Sequence, residues 1–166
     1  MLQKRNNAIA TDDRELTIIR IFDAPRDLVF AAWTEPQHLA RWSGPRGFSS
    51  TSDKFDLRPG GSYRVCLHAP DGADHWLHGS YREIVAPERL VMTHAWEHAD
   101  GSSSPETVIT VTFSAIGSKT KMVFHQAFFE SSAARDGHHG GWSQSFDRLG
   151  EYLAVVQSTP STGVQS

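Results

Sequence analysis

Residues 15–45, ELTIIRIFDAPRDLVFAAWTEPQHLARWSGP, decide the fold of this chain. The first eight of them, 15–22, are mostly apolar and β-branched on both faces, which is typical of a well-covered strand. Val29 and Trp33 then follow at helical spacing. Asp23 is the predicted cap of this helix, with the proline two positions later in its first turn. A strand therefore leads into a short helix with almost no connection.

A second short helix follows at once. Thr34 is predicted to restart the chain as a new N-terminus before Pro36. Leu39 and Trp42 supply its apolar side, and the Gly-Pro pair at 44–45 ends it. The sequence thus predicts one strand followed by two short helices.

Beyond this region the hydrophobic period changes to two. Tyr63, Val65 and Leu67, for example, alternate with Ser62 and Arg64. Short turn-forming segments separate the alternating stretches. The predicted strands are 48–57, 61–68, 75–85, 89–96, 107–113 and 120–128. Consecutive strands joined by short turns predict an antiparallel meander.

The last apolar pattern is helical. Its apolar residues recur at steps of four and three: Trp142, Phe146, Leu149, Leu153 and Val156. This predicts an amphipathic helix of at least four turns. Three glycines, Gly137, Gly140 and Gly141, lie at or before its predicted start. Because glycine is unfavourable in a helix interior, they are expected to serve close packing or a bend.

The order of elements predicts an α+β fold in which a curled sheet grips one long helix. A curved antiparallel sheet of about seven strands would surround the long C-terminal helix, with the two short helices after the first strand. A round helix in a curled sheet leaves space, so an apolar cavity is expected between them. The predicted domain is 14–157, between flexible segments at 1–13 and 158–166.

Several motifs are similar to those of a known superfamily. Besides the opening stretch, these are LRPGGSY (57–63), GSYREIVAPERLVMTHAW (79–96) and GHHGGW (137–142). They resemble the START-like, polyketide-cyclase-like superfamily (SRPBCC). The resemblance is narrower to the branch related to the C-terminal domain of the activator of the ninety-kilodalton heat-shock ATPase. The resemblance covers about 15–155 and implies a helix-grip domain with its cavity between sheet and last helix.

Composition excludes several function classes. The 16 Lys and Arg are scattered and outnumbered by 19 Asp and Glu, which does not favour nucleic-acid binding. The chain shows neither an N-terminal signal nor a membrane span. Its single cysteine, Cys66, cannot form an internal disulfide, which fits a reducing compartment. A cytoplasmic protein without a cofactor is predicted.

No catalytic or metal-binding motif is recognisable. The nine histidines lack the HExxH and CxxC spacings of zinc sites, so no metal is predicted. His138 and His139 are adjacent and diverge. Cys66 lies within a strand and is interpreted as a small buried residue. His94 and His125, each inside an apolar strand, are the only candidates for proton transfer.

Aromatic and polar residues on the predicted sheet and helices are the candidates for ligand contacts. These are Trp42, Tyr63, Trp76, Met92, His94, Trp96, Phe113, Phe124, His125, Gln126, Trp142 and Phe146. Periodicity does not say which face of each strand is concave.

Three functions stay open. The first is binding of a hydrophobic or amphipathic small molecule in the cavity by a carrier, sensor or sequestering protein. The second is a cyclase or hydrolase acting on a hydrophobic substrate, which the superfamily resemblance allows. The third is a chaperone partner, by analogy with the heat-shock ATPase activator. The protein would act as a monomer or a homodimer.

Overall fold

The computed structural model of the chain describes residues 13–158, so most of the predicted flexible ends lies outside the described residues. Three helices and seven strands occur within this range. The strands are β1 (Glu15–Phe22), β2 (Ser49–Phe55), β3 (Ser62–His68), β4 (Asp74–Val85), β5 (Arg89–Trp96), β6 (Thr107–Ile116) and β7 (Lys119–Ala127). The helices are α1 (Arg26–Thr34), α2 (Pro36–Trp42) and α3 (Ser132–Ser158).

The seven strands form one curved antiparallel sheet in the order β1-β7-β6-β5-β4-β3-β2. Strands β2 to β7 form a meander. The first strand, β1, lies at the edge of the sheet beside β7, with Glu15 opposite Ala127 and Phe22 opposite Thr120. The α+β helix-grip prediction is confirmed. Register shifts at Ser52/Lys54 in β2 and at Tyr81/Glu83 in β4 add local twist, which helps the sheet to curl.

The break between α1 and α2 has a local cause. Glu35 is extended, with φ −117° and ψ 124°, because the residue before a proline disfavours the helical region. The expected caps are wrong. Helix α1 begins at Arg26 after Pro25, without a side-chain cap from Asp23. Thr34 ends α1 and donates from its hydroxyl to the carbonyl of Phe30 at 3.0 Å.

Helix α3 has the predicted four turns or more, but it begins before the three glycines and not at them. It begins at Ser132, where the hydroxyl of Ser131 accepts a hydrogen bond from the amide of Ala134 at 3.1 Å. The three glycines at 137, 140 and 141 therefore lie inside the helix and not at its start. Helix propensity is a weak preference, and a well-placed N-terminal cap together with packing overrides it here.

Alanine substitution at two glycines should change the stability of the protein in opposite directions. Gly140 lies on α3 where an added Cβ would meet no atom within 4 Å, whereas a Cβ at Gly79 would lie 2.0 Å from the carbonyl oxygen of Thr93. We expect Gly140→Ala to raise the free energy of unfolding by about 1 kcal/mol. Gly79→Ala should lower it by about 3 kcal/mol, because the backbone must move. Urea unfolding monitored by tryptophan fluorescence measures both, and changes of the same sign would contradict this assignment.

Candidate ligand-binding cavity

A cavity of about 360 Å³ lies between α3 and the half of the sheet formed by β2 to β5. Most of its wall is apolar or aromatic. The lining residues are Trp33, Leu39, Trp42, Ser43, Gly44, Pro45, Phe48, Phe55, Tyr63, Val65, Leu67, His75, Leu77, Tyr81, Met92, His94, Trp96, Ile109, Gly137, His138, Gly141, Trp142 and Ser145. None of them is Asp, Glu, Lys or Arg, so the wall carries no acidic or strongly basic side chain.

An aromatic cluster fills the space on the other side of the cavity. The ring of Trp142 lies 4.6 Å from that of Phe124, 5.5 Å from Phe146 and 6.0 Å from Trp33, measured between centroids. Phe124 and Phe146 are fully buried. These rings pack α3 directly against β7 and α1, which leaves Trp33 and Trp142 as the boundary between the solid core and the cavity.

Small residues on α3 leave the cavity open. Gly137, Gly141 and Ser145 recur at steps of four and line the cavity. Residues four apart lie on the same helix face. A side chain added at Gly141 would first meet Pro45, at 3.7 Å. The helix therefore fills the groove of the sheet only where its side chains are large.

The loop after α2 forms part of the cavity wall. Arg148 of α3 donates from Nη1 to the carbonyl oxygens of Ser43, Gly44 and Pro45, at 3.0, 2.8 and 3.2 Å. Gly44 has φ +93°, a conformation that other residues rarely adopt. One arginine thus holds three wall residues at fixed distance from the helix.

Three histidines line the cavity, His75, His94 and His138, and the last two lie close together. The rings of His94 on β5 and His138 on α3 lie 5.3 Å apart. The indole of Trp96 donates from Nε1 to Nε2 of His138 at 3.0 Å. Because Nε2 accepts this bond, the proton of neutral His138 is on Nδ1.

Both imidazoles are neutral at pH 7. Burial, with a smaller contribution from the neighbouring His138, lowers the pKa of His94 to about 3. Burial also lowers the pKa of His138, to about 4. Desolvation disfavours the imidazolium, and no carboxylate lines the cavity to offset it.

A buried hydrogen-bond chain lies behind this wall. Trp142 donates from Nε1 to Oε1 of Gln126 at 2.9 Å, and Gln126 donates from Nε2 to the hydroxyl of Thr107 at 2.9 Å. Thr107 in turn donates to the carbonyl oxygen of His94 at 3.0 Å. This series of hydrogen bonds fixes the indole of Trp142 relative to β5, β6 and β7.

Two tyrosines complete the sheet side of the wall. The hydroxyl of Tyr63 donates to the carbonyl oxygen of Thr93. Burial raises the pKa of Tyr63 and of Tyr81, so both phenols stay neutral. The rings of these two residues lie 5.4 Å apart and form one surface.

Six of the twelve residues selected from the sequence line the cavity. These are Trp42, Tyr63, Met92, His94, Trp96 and Trp142. Four others, three on the inner face of the sheet and one on α3, are buried in the solid core or in its hydrogen-bond chain. They are Phe113, Phe124, Gln126 and Phe146.

The remaining two candidates point to the opposite, outer face. His125 lies between the inward-facing Phe124 and Gln126 and contacts Glu15 through Nε2. Trp76 lies beneath the guanidinium of Arg64, 3.8 Å from its ring centroid. Alternation along a strand forces these side chains outward once their neighbours face the helix. His125 is therefore not a cavity group.

Sequence reasoning missed His138. The adjacent pair of His138 and His139 does not indicate which of the two side chains faces the sheet. His138 lies four residues before Trp142, and this spacing places His138 and Trp142 on one face of α3. The glycines at 137 and 141 were also missed as wall residues, because their lack of a side chain only creates space in the folded domain.

Within residues 13–158, no helix is both long enough and apolar enough to cross a membrane. The long helix α3 carries many polar and charged residues on its outer side. Its apolar residues form one stripe, which packs on the sheet.

Solved structures with this fold cover most of the chain. A protein from Chromobacterium violaceum is 26% identical, with a TM-score of 0.78 over 84% of this chain and 96% of that chain. A protein from Arthrobacter aurescens is 24% identical, with a TM-score of 0.79 over 86% and 87%. The AHSA1 protein from Silicibacter pomeroyi is 20% identical, with a TM-score of 0.79 over 85% and 98%. These similarities concern the fold of this chain.

No curated protein matches the chain. The family model described as "Activator of Hsp90 ATPase homolog 1-like protein" matches residues 23–154, from the turn after β1 to the last turns of α3. The match spans both short helices, strands β2 to β7 and the wall of the cavity. The chain therefore belongs to the family of activator of Hsp90 ATPase homolog 1-like proteins.

Proposed function

We propose that this protein binds a hydrophobic or amphipathic small molecule in the cavity, as a carrier, a sensor or a sequestering protein. The observation that carries the proposal is the mostly apolar wall, without Asp, Glu, Lys or Arg, around about 360 Å³ of space. This volume lies at the small end of the roughly 300–1,000 Å³ that ligand pockets occupy. A compact ligand therefore fits better than a long lipid.

The polar groups of the wall suggest what kind of ligand it is. His94 and His138 offer hydrogen bonds without charge, because burial lowers the pKa of both. A neutral ring compound carrying a hydroxyl or carbonyl group suits this wall. A charged ligand would lose its hydration without an opposite charge to replace it.

Proton-transfer catalysis is less well supported than binding. A general base works best with a pKa near the working pH. The pKa of His94, lowered to about 3, makes its imidazole a weak base. The other candidate, His125, lies on the outer face beside Glu15. A cyclase- or hydrolase-like activity would therefore depend on cavity shape.

A chaperone partner remains the third proposal, because the family is named after an activator of the Hsp90 ATPase. The cavity itself lies between α3 and the sheet and does not form a flat docking surface. We further propose that the protein works in the cytoplasm, as a monomer or homodimer, which its single buried cysteine fits.

Blocking the cavity tests the binding proposal. Gly141→Leu places a side chain beside Pro45 in the cavity, whereas Gly140→Leu adds the same side chain to the exposed side of the same turn. We expect Gly141→Leu to weaken binding of the neutral probe N-phenyl-1-naphthylamine by about tenfold or more, since overfilling costs about 1–3 kcal/mol. Probe fluorescence in a titration measures the affinity.

The matched variant Gly140→Leu should bind the probe like the wild type. Equal affinity in all three proteins would place the probe elsewhere and contradict the proposal. Native mass spectrometry of the protein after incubation with a cell extract then identifies the natural ligand. A compound retained by Gly140→Leu and lost from Gly141→Leu is the expected result.

A further inference from the structure

A second cluster of chemically active side chains lies on the outer face of the sheet, away from the cavity. Cys66 and His68 are two residues apart on β3 and project from the same face. Asp74, the first residue of β4, pairs directly with His68 in the antiparallel register. Directly paired residues have neighbouring side chains. The register therefore brings a thiol, an imidazole and a carboxylate together.

The donor atoms of these three residues converge. Sγ of Cys66 lies 3.7 Å from Nδ1 of His68, and Nδ1 lies 2.7 Å from Oδ1 of Asp74. All three ligand atoms lie within 4.8 Å of one another. With zinc bonds of about 2.3 Å to sulfur and about 2.0–2.2 Å to nitrogen or oxygen, a tetrahedral site spaces its ligand atoms about 3.3–3.6 Å apart. Small side-chain movements would bring this cluster to that geometry.

The other ring nitrogen of His68 is already held. Nε2 lies 3.0 Å from the hydroxyl oxygen of Thr51 on β2. When the hydroxyl accepts from Nε2–H, the lone pair of Nδ1 points toward Cys66 and Asp74. Metal-binding histidines are commonly oriented in this way by a hydrogen bond from their second nitrogen.

The same geometry argues against a cysteine nucleophile. A catalytic Cys–His–Asp arrangement uses one ring nitrogen for the thiol and the other for the acid. Here Cys66 and Asp74 both approach Nδ1 of His68, and Thr51 takes Nε2. A single proton on Nδ1 can serve only one of the two neighbours, whereas a metal ion can bind all three groups.

We propose that Cys66, His68 and Asp74 form a binding site for a divalent transition metal of the zinc class. Sulfur and imidazole ligands select zinc over magnesium or calcium. Cys66 is fully buried, and the Asp74 side chain is 54% exposed, so the site opens to solvent on the aspartate side. Three protein ligands leave the fourth position to water. On binding, the sulfur–metal bond replaces the S–H bond, and the thiol proton goes to solvent.

Metal titration of the full chain without a histidine tag tests this site. Isothermal titration with Zn²⁺ should show one ion per chain. Co²⁺ should give a thiolate-to-metal charge-transfer band together with the visible absorption of a tetrahedral site. His68→Gln and Asp74→Asn, both at partly exposed side chains, should weaken Zn²⁺ binding by at least about tenfold, since even indirect partners of a metal contribute about 10–100-fold.

His139→Gln is the matched control, because His139 is an exposed histidine on α3 and lies in neither cluster. It should leave Zn²⁺ affinity unchanged. The proposal is overturned if Zn²⁺ does not bind at one per chain, if His68→Gln binds as tightly as the wild type, or if the Co²⁺ complex lacks the thiolate band. Naphthylamine binding in the cavity should be the same in all these variants, so this test is independent of the cavity proposal.

Discussion

Phe146→Ala is expected to lower the free energy of unfolding by about 4 kcal/mol, within the roughly 3–5 kcal/mol usual for a buried phenylalanine. Phe146 is fully buried at the centre of the helix–sheet contact. Its ring centroid lies 5.2 Å from that of Phe124, 6.0 Å from Trp33 and 6.2 Å from Trp42. Truncation removes contacts to both short helices and to β7 at once.

Urea unfolding followed by circular dichroism measures this loss. Val155→Ala on the same helix is the control, because Val155 is 54% exposed, and its change should stay within about 0.5 kcal/mol. A loss below about 1 kcal/mol for Phe146→Ala would mean that the core collapses into the neighbouring cavity, and that α3 is held by other contacts.

Acid should destabilise the protein through its buried histidines. The pKa of His94 is about 3 in the folded protein and about 6.5 in the unfolded chain. Between these values only the unfolded chain takes up the proton, so the free energy of unfolding falls as the pH falls. We expect His94 to account for a loss of about 2–3 kcal/mol between pH 7.5 and pH 4.5. His138, with a pKa lowered to about 4, acts in the same direction.

Urea unfolding at a series of pH values, with wild type and His94→Phe, isolates this contribution. The variant should lose less stability across the same range, because phenylalanine does not titrate. Protonation of the Glu97 carboxyl does not affect the stability loss that is compared between pH 7.5 and pH 4.5. Arg64 lowers its pKa to about 2, so its contribution is lost only below about pH 4.5. Parallel profiles for the two proteins would show that His94 is not the group responsible.

The strand and helix pattern could be read from the sequence, because it depends on local periodicity. Alternation in segments such as 61–68 and the 4-3-4-3 stripe from Trp142 onward each correspond to an observed element. Details at helix ends were less reliable. Asp23 does not cap α1, and the glycine-containing segment 137–141 is helical. Caps depend on the direction of the chain in three dimensions, and packing of α3 overrides the low helix propensity of glycine.

Only six of the twelve residues selected from the sequence line the cavity, because a strand pattern does not say which of its two faces points inward. Residues such as His94 and His125 look alike in sequence, since each lies in an apolar strand. In the folded domain His94 faces α3 and His125 faces outward beside Glu15. The cluster of Cys66, His68 and Asp74 was not predicted either, because the spacing rules weighed histidine pairs and not a cysteine and an aspartate joined across a hairpin.

The sequence by itself determined the order of elements and the apolar side of the last helix, since these follow from residue periodicity and turn chemistry. Its motifs implied the helix-grip class through their resemblance to a known superfamily. Tertiary structure decided which strand faces meet α3, where its glycines leave space, and that Asp74 lies opposite His68. The physical reason is that register and sheet curvature set these contacts, and both depend on how distant strands pair and twist.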